Sequence, residues 1–426
     1  MEGYILDWAN LLLRWLHVIV AIAWIGSSFY FVWLDNSLTK PSAPDLKDKG
    51  VDGELWAVHG GGFYNPQKYL LAPKQLPDHL HWFYWESYST WMSGFALLTV
   101  VYLFNANVYM IDRSVFDMTA TTAVLLALGF LVVGWLVYDT ICRVFGKNDR
   151  VVGILVAIYV VIAAFAACHL FSGRAAFLLI GAMIATIMSA NVFFWIIPGQ
   201  RKVVASLKAG EKPDPIHGKR GKQRSVHNTY FTLPVLFAML SNHYSMTYAA
   251  KYNWAVLVLI MLAGVLIRQF FILKHKGVVN WGYPAAGVAV LLGVALWLAP
   301  VSRPAAPAAE APPAAAPAAA AEGGASVSAT AVAAAVPAAA GGSDFAKVQA
   351  VVTARCYQCH SAHPTLMPSP AKGVLLDTPE ELGKHAQLVY QQVVQQKLMP
   401  LGNVTQITDD ERTIIAKWFE GGAKTN

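Results

Sequence analysis

Charge is scarce in this chain. Lys, Arg, Asp and Glu make up 13% of its 426 residues, against roughly 25% in a soluble domain. With 56% hydrophobic residues, that shortage excludes an ordinary water-soluble globule. Cysteine is also scarce: four residues, two of them in one short motif, suggest no disulfide framework. No P-loop, flavin or nicotinamide fingerprint occurs, and the glycines of His59-Gly60-Gly61-Gly62 lack the strand–GxGxxG–helix context of a phosphate site. No convincing repeat relates the first half of the hydrophobic region to the second, which weighs against a transporter.

What the chain does have is apolar stretches of about 20 residues, the length that crosses a bilayer. Eight are expected, near 8–34, 82–104, 119–138, 151–172, 175–197, 229–248, 253–272 and 280–299. The first runs on too long, and without a small-residue cleavage site, to be a signal peptide. Basic residues then orient the bundle. Loops 35–81, 139–150, 198–228 and 273–279 hold eighteen Lys and Arg, while the alternating loops hold only Arg113, Arg174 and Lys251. The basic loops are expected in the cytoplasm and both termini outside, in the periplasm of a bacterial inner membrane. The net charge of +7 is thereby a topology signal, and no nucleic-acid partner is expected.

From Ala299 to about Gly342 the composition is Ala, Pro, Gly and Ser with two glutamates, which reads as an unpacked linker. About 44 residues of flexible chain span roughly 35–40 Å. The expected organisation is therefore a transmembrane domain over 1–299, a linker over 300–342 and a small domain over 343–426. The fold class is all-α: an eight-span bundle, a flexible Ala/Pro linker and a helical, class I-like cytochrome c domain.

The cytochrome assignment rests on Cys356-Tyr357-Gln358-Cys359-His360. Two cysteines two residues apart, with histidine directly after the second, form the attachment signature of a c-type haem. The cysteines form thioethers, and the adjacent imidazole ligates the iron. In bacteria this attachment takes place outside the cytoplasm, where the charge pattern independently puts residues 343–426. Thr378-Pro379-Glu380-Glu381 and Thr408 with Glu411 are capping boxes, each expected to open a helix, the first running through Val393 and Val394. Met399, 39 residues after His360, is the expected sixth ligand, and Met367 is its rival. A thioether there raises the potential and closes the metal to substrate.

In the bundle, Arg14, His17, Trp24, Ser28 and Asp35 recur at helical steps and share one face of span one. Ionisable groups there are costly in lipid and are expected to face the interior. Glu86, Ser89 and Ser93 make a similar face on span two, near His79, His81 and Trp82. His169, Asn191, Asn242 and His243 add polar groups on later spans, though interhelical hydrogen bonding alone accounts for such residues. The tryptophans equally suit interfacial anchors. Loop 35–81 is expected to fold over the cytoplasmic mouth of the bundle.

Two segments, RWLHVIVAIAWIGSSFYFVWLD (14–35) and HGGGFYNPQKYLLAPKQLPDHLHWFYWESYSTWMSG (59–94), resemble the N-terminal domain of the bacterial membrane-bound urate oxidase family, also described as urate hydroxylase. In that family an eight-span domain precedes a C-terminal cytochrome c. The resemblance implies oxidation of urate to 5-hydroxyisourate in purine catabolism, with electrons leaving through haem c to a periplasmic or membrane acceptor such as a cytochrome or terminal oxidase. It carries over no catalytic residues. A urate site needs an aromatic face, a positive charge, hydrogen-bond donors and a base. Arg14, His17, Trp24 and Glu86 are the candidates, with Trp82, Asn191 and Asn242 beside them. Two electrons leave urate and one haem accepts one at a time, so either a urate radical waits for a second transfer or the bundle holds another cofactor, such as a haem b between His17 and His81, His169 or His243; the H-x6-W-x-G pattern of span one is similar to that of small membrane proteins that bind haem b. Two other readings stay open: a membrane dehydrogenase for another small heterocycle, and a non-catalytic anchor or transporter carrying a tethered cytochrome c.

Overall fold

The computed structural model describes residues 2–69, 73, 76–113, 115–299, 344–366, 370–371, 374–395 and 397–425. Linker 300–342 and Met367 lie outside the described residues. The chain is mostly helical. Its membrane-type region contains α1 (Glu2–Ser37), α2 (Trp85–Leu98), α3 (Ala120–Phe145), α4 (Asp149–Leu170), α5 (Gly173–Asn191), α6 (Pro215–Leu240), α7 (Asn253–His275) and α8 (Gly282–Trp297).

Local chemistry sets several helix starts. The Thr119 hydroxyl accepts the Thr122 amide at 3.2 Å ahead of α3, and Asn148 accepts the amides of Arg150 and Val151 ahead of α4. Ser172 caps α5, and Asp214 caps α6 with proline at the first helical position. Such caps satisfy amides that a helix start leaves orphaned. Because the α3–α4 and α4–α5 connections are only a few residues long, these helices pack as antiparallel neighbours.

Five helices among the described residues are long and apolar enough to cross a membrane: Trp8–Ser37, Ala120–Phe145, Asp149–Leu170, Gly173–Lys208 and Asn253–His275. Gly282–Trp297 is apolar but shorter. The other two expected spans meet physical interruptions. Helix α2 has 14 residues and passes at Thr99 into a π-helical turn through Leu103. Helix α6 ends at Leu240 and devotes its first half to His217, Lys219, Arg220, Lys222 and Arg224, residues that the charge pattern assigned to a loop.

Helix α5 is the centre. It packs against α2, α3, α4 and α6, and 61% of its most apolar window is buried, against none for α1. Small residues allow this crowding: a Cβ added at Gly181 would stand 2.7 Å from Ala238 Cβ on α6. Close approach through small side chains is the common way for membrane helices to associate.

Loop 35–81 is the departure from an all-α chain. It folds as two small antiparallel ribbons, β1 (Val51–Glu54) with β4 (Gln67–Tyr69) and β2 (Ala57–His59) with β3 (Gly62–Tyr64). Gly60 and Gly61 take φ of +59° and +80° at the inner turn, a backbone that glycine adopts without a Cβ penalty. The triple glycine is thus explained by a hairpin. Ion pairs Lys40–Asp52 and Lys68–Asp35 fasten the ribbons, the second to the end of α1.

Residues 344–425 have a separate hydrophobic cluster that includes Val348, Val352, Leu382, Ile415 and Trp418. Around it lie α9 (Asp344–Arg355), α10 (Tyr357–His360), α11 (Pro379–Lys384) and α12 (Asp409–Glu420). Both expected capping boxes form, at Thr378/Glu381 and Thr408/Glu411. Arg355 meets Glu411 at 3.0 Å and binds α9 to α12. The helix expected to run through Val394 stops at Lys384, because His385 leaves helical geometry, and resumes as a short turn and a π segment over Tyr390–Gln395.

Substituting Gly181 by Val is expected to force α5 from α6 and destabilise the bundle by about 1–3 kcal/mol. Thermal unfolding in detergent checks this: an unchanged midpoint would show that the close approach is not required.

Candidate functional site

In the C-terminal region Cys356 is buried, Cys359 is half-buried, and both stand within one helical turn of His360. The His360 Nδ1 donates to the Val374 carbonyl at 3.1 Å. That bond fixes the tautomer and leaves the Nε2 lone pair free, the arrangement that metal-binding histidines need. Burial lowers the His360 pKa below its ordinary value, which keeps the imidazole neutral and able to ligate. Met399 packs against the C-terminal cluster, and its carbonyl accepts Arg412 Nη1 at 2.9 Å. Arg412 also donates to the Val393 carbonyl, so one buried guanidinium ties the Met399 loop to α12. This donor set fits a c-type haem: two thiols, one oriented imidazole and one thioether.

The bundle candidates Arg14, His17, Trp24 and Glu86 lie on α1 and α2. Arg14 is exposed and donates to Asn10 on its own helix at 2.9 Å, so its expected interior position is not the one observed. His17 turns towards α2, with Nδ1 3.0 Å from Ser93 Oγ. Ser93 already donates to the Ser89 carbonyl at 2.7 Å, so the imidazole is the donor and Nε2 is left as an acceptor. A Cβ on Gly94 would lie 2.9 Å from the His17 ring; only glycine leaves the imidazole this room. Trp24 is half-buried against the bundle core. Glu86 is half-buried in the first turn of α2, where its carbonyl accepts Thr90 Oγ1 at 2.6 Å. Arg14 and His17 lie within electrostatic reach of each other.

The histidines are dispersed. His81 stacks edge-on against Phe83, His169 lies flat on Phe165 and meets its carbonyl at 2.7 Å, and His243 is exposed. Among the described residues no group of three His, Cys, Asp or Glu side chains is placed to hold a metal ion.

The largest buried polar network escaped the sequence reading. Asp139 on α3 and Arg224 on α6, 6% and 2% exposed, meet at 2.7 Å. Asp139 also accepts Arg143 Nε at 2.6 Å and Trp195 Nε1 at 2.7 Å. Arg224 donates to Asn191 Oδ1, and the Asn191 amide donates to Asn228 and to the Tyr138 hydroxyl. Tyr138 in turn meets His227 Nδ1 at 2.7 Å. The guanidinium lies 5.0 Å from the Trp195 ring and 5.1 Å from the Tyr138 ring. Counted as loop charges, Asp139 and Arg224 gave no hint of this. The available signal was Asp139 four residues before Arg143 at the end of a span, facing Trp195. A network paired at this many atoms is a brace between helices.

Two other places are unsatisfied. On α7, Arg268 is 5% exposed, and its Nε and Nη2 have no hydrogen-bond partner among the described residues; its guanidinium sits 4.1 Å over the Phe29 ring. At the opposite end of the bundle, Tyr102 OH, Arg174 Nε and Asn242 Oδ1 are likewise buried without partners among the described residues.

Against known proteins, a family model described as urate oxidase N-terminal matches residues 3–299. No curated protein and no solved structure matches.

Substituting Asp139 by Ala strands Arg224 in the interior and is expected to cost about 3–5 kcal/mol, whereas Arg143→Ala, on the exposed side of the same carboxylate, is expected to cost about 1 kcal/mol or less. Melting of the two variants in detergent gives the comparison; equal effects would remove the bracing role.

Proposed function

The chain belongs to the urate oxidase N-terminal family, and from that premise we propose that it is a membrane-bound urate oxidase that delivers electrons to a c-type haem on its own C-terminal domain. The reaction is urate plus water giving 5-hydroxyisourate, two protons and two electrons. The supporting observation is the pairing, in one chain, of a family-matched helical region with the anchored His360 beside Cys356 and Cys359. Haem c bound there supplies one-electron acceptance, so each urate reduces two ferric equivalents. No hydrogen peroxide forms in this scheme, because oxygen does not meet the substrate electrons.

Each residue has a defined part. Cys356 and Cys359 would hold the haem covalently, and His360 and Met399 would be its ligands to iron. Val374 holds the imidazole orientation through Nδ1, and Arg412 holds the Met399 backbone. In the bundle, the His17 Nε2 lone pair is available to take a proton.

In the proposed topology eight helical segments cross a bacterial inner membrane, with basic loops inside and both termini in the periplasm. Geometry within the bundle is consistent with this. The Tyr252 and Trp297 rings stack at 6.3 Å, so α8 ends beside the start of α7. Ser172 reaches the Tyr109 carbonyl at 2.7 Å. Loops 105–119, 171–174 and 241–252 and the end of α8 thus share one end of the bundle, the end poor in basic residues. Electrons would pass from the haem to a periplasmic or membrane acceptor, a cytochrome or terminal oxidase.

Anaerobic urate is expected to reduce the haem of the purified protein, about two haems per urate consumed. Cys356→Ala with Cys359→Ala is expected to abolish urate consumption. Met399→His is expected to keep the haem and lower its midpoint potential by a sizeable part of the roughly 0.8 V that axial ligands span. A colourless protein, or urate loss that persists without the two cysteines, would refute the proposal.

A further inference from the structure

Three polar atoms shielded from water converge at one end of the bundle. Tyr102, 4% exposed, lies on the π-helical turn that follows α2. Arg174 is in the first turn of α5, and Asn242 is in the turn that follows α6. Arg174 and Asn242 both close on the Tyr102 hydroxyl. Even so, Tyr102 OH, Arg174 Nε and Asn242 Oδ1 make no hydrogen bond of good geometry among the described residues. The Arg174 guanidinium is backed by the Tyr109 ring at 5.3 Å. A buried polar group without a partner is costly, and three together from separate helices describe a place where a ligand supplies what is missing.

The inventory says which ligand. Arg174 offers positive charge and N–H donors, Tyr102 can donate and accept, and Asn242 Oδ1 accepts. A planar anion that presents carbonyl oxygens beside ring N–H groups matches all three. The urate monoanion is such a molecule.

A second observation concerns the electrons. The turn Leu401–Asn403, directly after Met399 and Pro400, packs on the helical turn Ala106–Tyr109. A Cβ on Gly402 would stand 2.1 Å from the Ile111 carbonyl, so the two backbones touch. Asp112 lies within electrostatic reach of Arg412, the residue that holds the Met399 carbonyl. Ser172, two residues before Arg174, is bonded to Tyr109 and Met110. The unsatisfied cluster and the Met399 loop therefore meet across one short segment, Tyr109–Asp112.

We propose that Arg174, Tyr102 and Asn242 bind the urate anion at the end of the bundle that contacts the C-terminal domain, and that its electrons enter the haem across Tyr109–Asp112. This rests on the function proposed above and places substrate and haem at the same end. No electron then needs to cross the bundle. Arg268 is the rival anion site, but its unsatisfied atoms belong to one residue facing a phenylalanine, where three residues converge in the other cluster.

The test uses the full-length haem-loaded protein without oxygen. Equilibrium binding of radiolabelled urate is measured after dithionite reduction, when no electron can leave the substrate, and haem reduction by urate is followed separately. Arg174→Gln is expected to weaken urate binding by roughly 10- to 100-fold, and Asn242→Ala and Tyr102→Phe by roughly 3- to 10-fold each. Arg174→Lys is expected to recover part of the loss, and Arg268→Gln to bind as the parent does. Gly402→Val is expected to keep urate binding while slowing haem reduction. If Arg174→Gln does not fold, judged by haem content and melting, Asn242→Ala and Tyr102→Phe decide. Parent-like binding in those variants, or loss in Arg268→Gln alone, overturns the site. Slowing absent in Gly402→Val overturns the electron route. A parent protein that neither binds urate nor is reduced by it overturns the function itself.

Discussion

The Asp139–Arg224 contact is the constraint around which the bundle is arranged. In a hydrocarbon environment no water compensates a charge or an unpaired amide, so a polar side chain must meet its partner or stay outside. Asp139 meets two arginines and an indole N–H, Arg224 meets a carboxylate and an amide, and Asn191 carries the network onward to Tyr138 and Asn228. Those residues come from α3, α5 and α6. Sliding any one of the three helices by a turn would break several of these bonds together. The network thereby fixes register where apolar packing alone would permit slippage, and Gly181 lets α5 and α6 come close enough for it to form.

Position on the chain and position in space part company at the charged residues. Hydropathy located the helices well, because a run of about 20 apolar residues has few other uses. The capping boxes at Thr378 and Thr408 were legible for a similar reason: the contacts that make them are local in sequence. Arg224 was not, since its role depends on Asp139, 85 residues earlier. It lies in a basic stretch that charge counting assigns to a loop, while the helix in fact begins at Pro215 and carries it inside. The opposite error applies to Arg14. Helical spacing put it on one face with His17, but a stripe this wide has edges; His17 falls on the side facing α2 and Arg14 on the exposed side. Loop 35–81 was misread because its strands are three or four residues long, too short for alternation to register.

The candidate site divides along the same line. The residues of the proposed haem attachment are contiguous, so Cys356, Cys359 and His360 could be read directly, and the fold adds the Val374 carbonyl that orients the imidazole. Tyr102, Arg174 and Asn242 are far apart in sequence, and each alone resembles an interfacial residue at a helix end. Only their convergence without partners among the described residues distinguishes them, a property of three-dimensional arrangement that no spacing rule captures.

The stacking of Trp297 on Tyr252 has a kinetic consequence. It sets the end of α8 at the same end of the bundle on which Leu401–Asn403 rests, so contact of the C-terminal region with that end is an intramolecular event. Two parts of one chain meet at an effective local concentration on the order of millimolar, far above that of two separate dilute proteins. The contact itself can then be weak. A docking surface as small as a glycine against a backbone carbonyl suffices. Under the proposed function, turnover would accordingly be independent of how dilute the protein is.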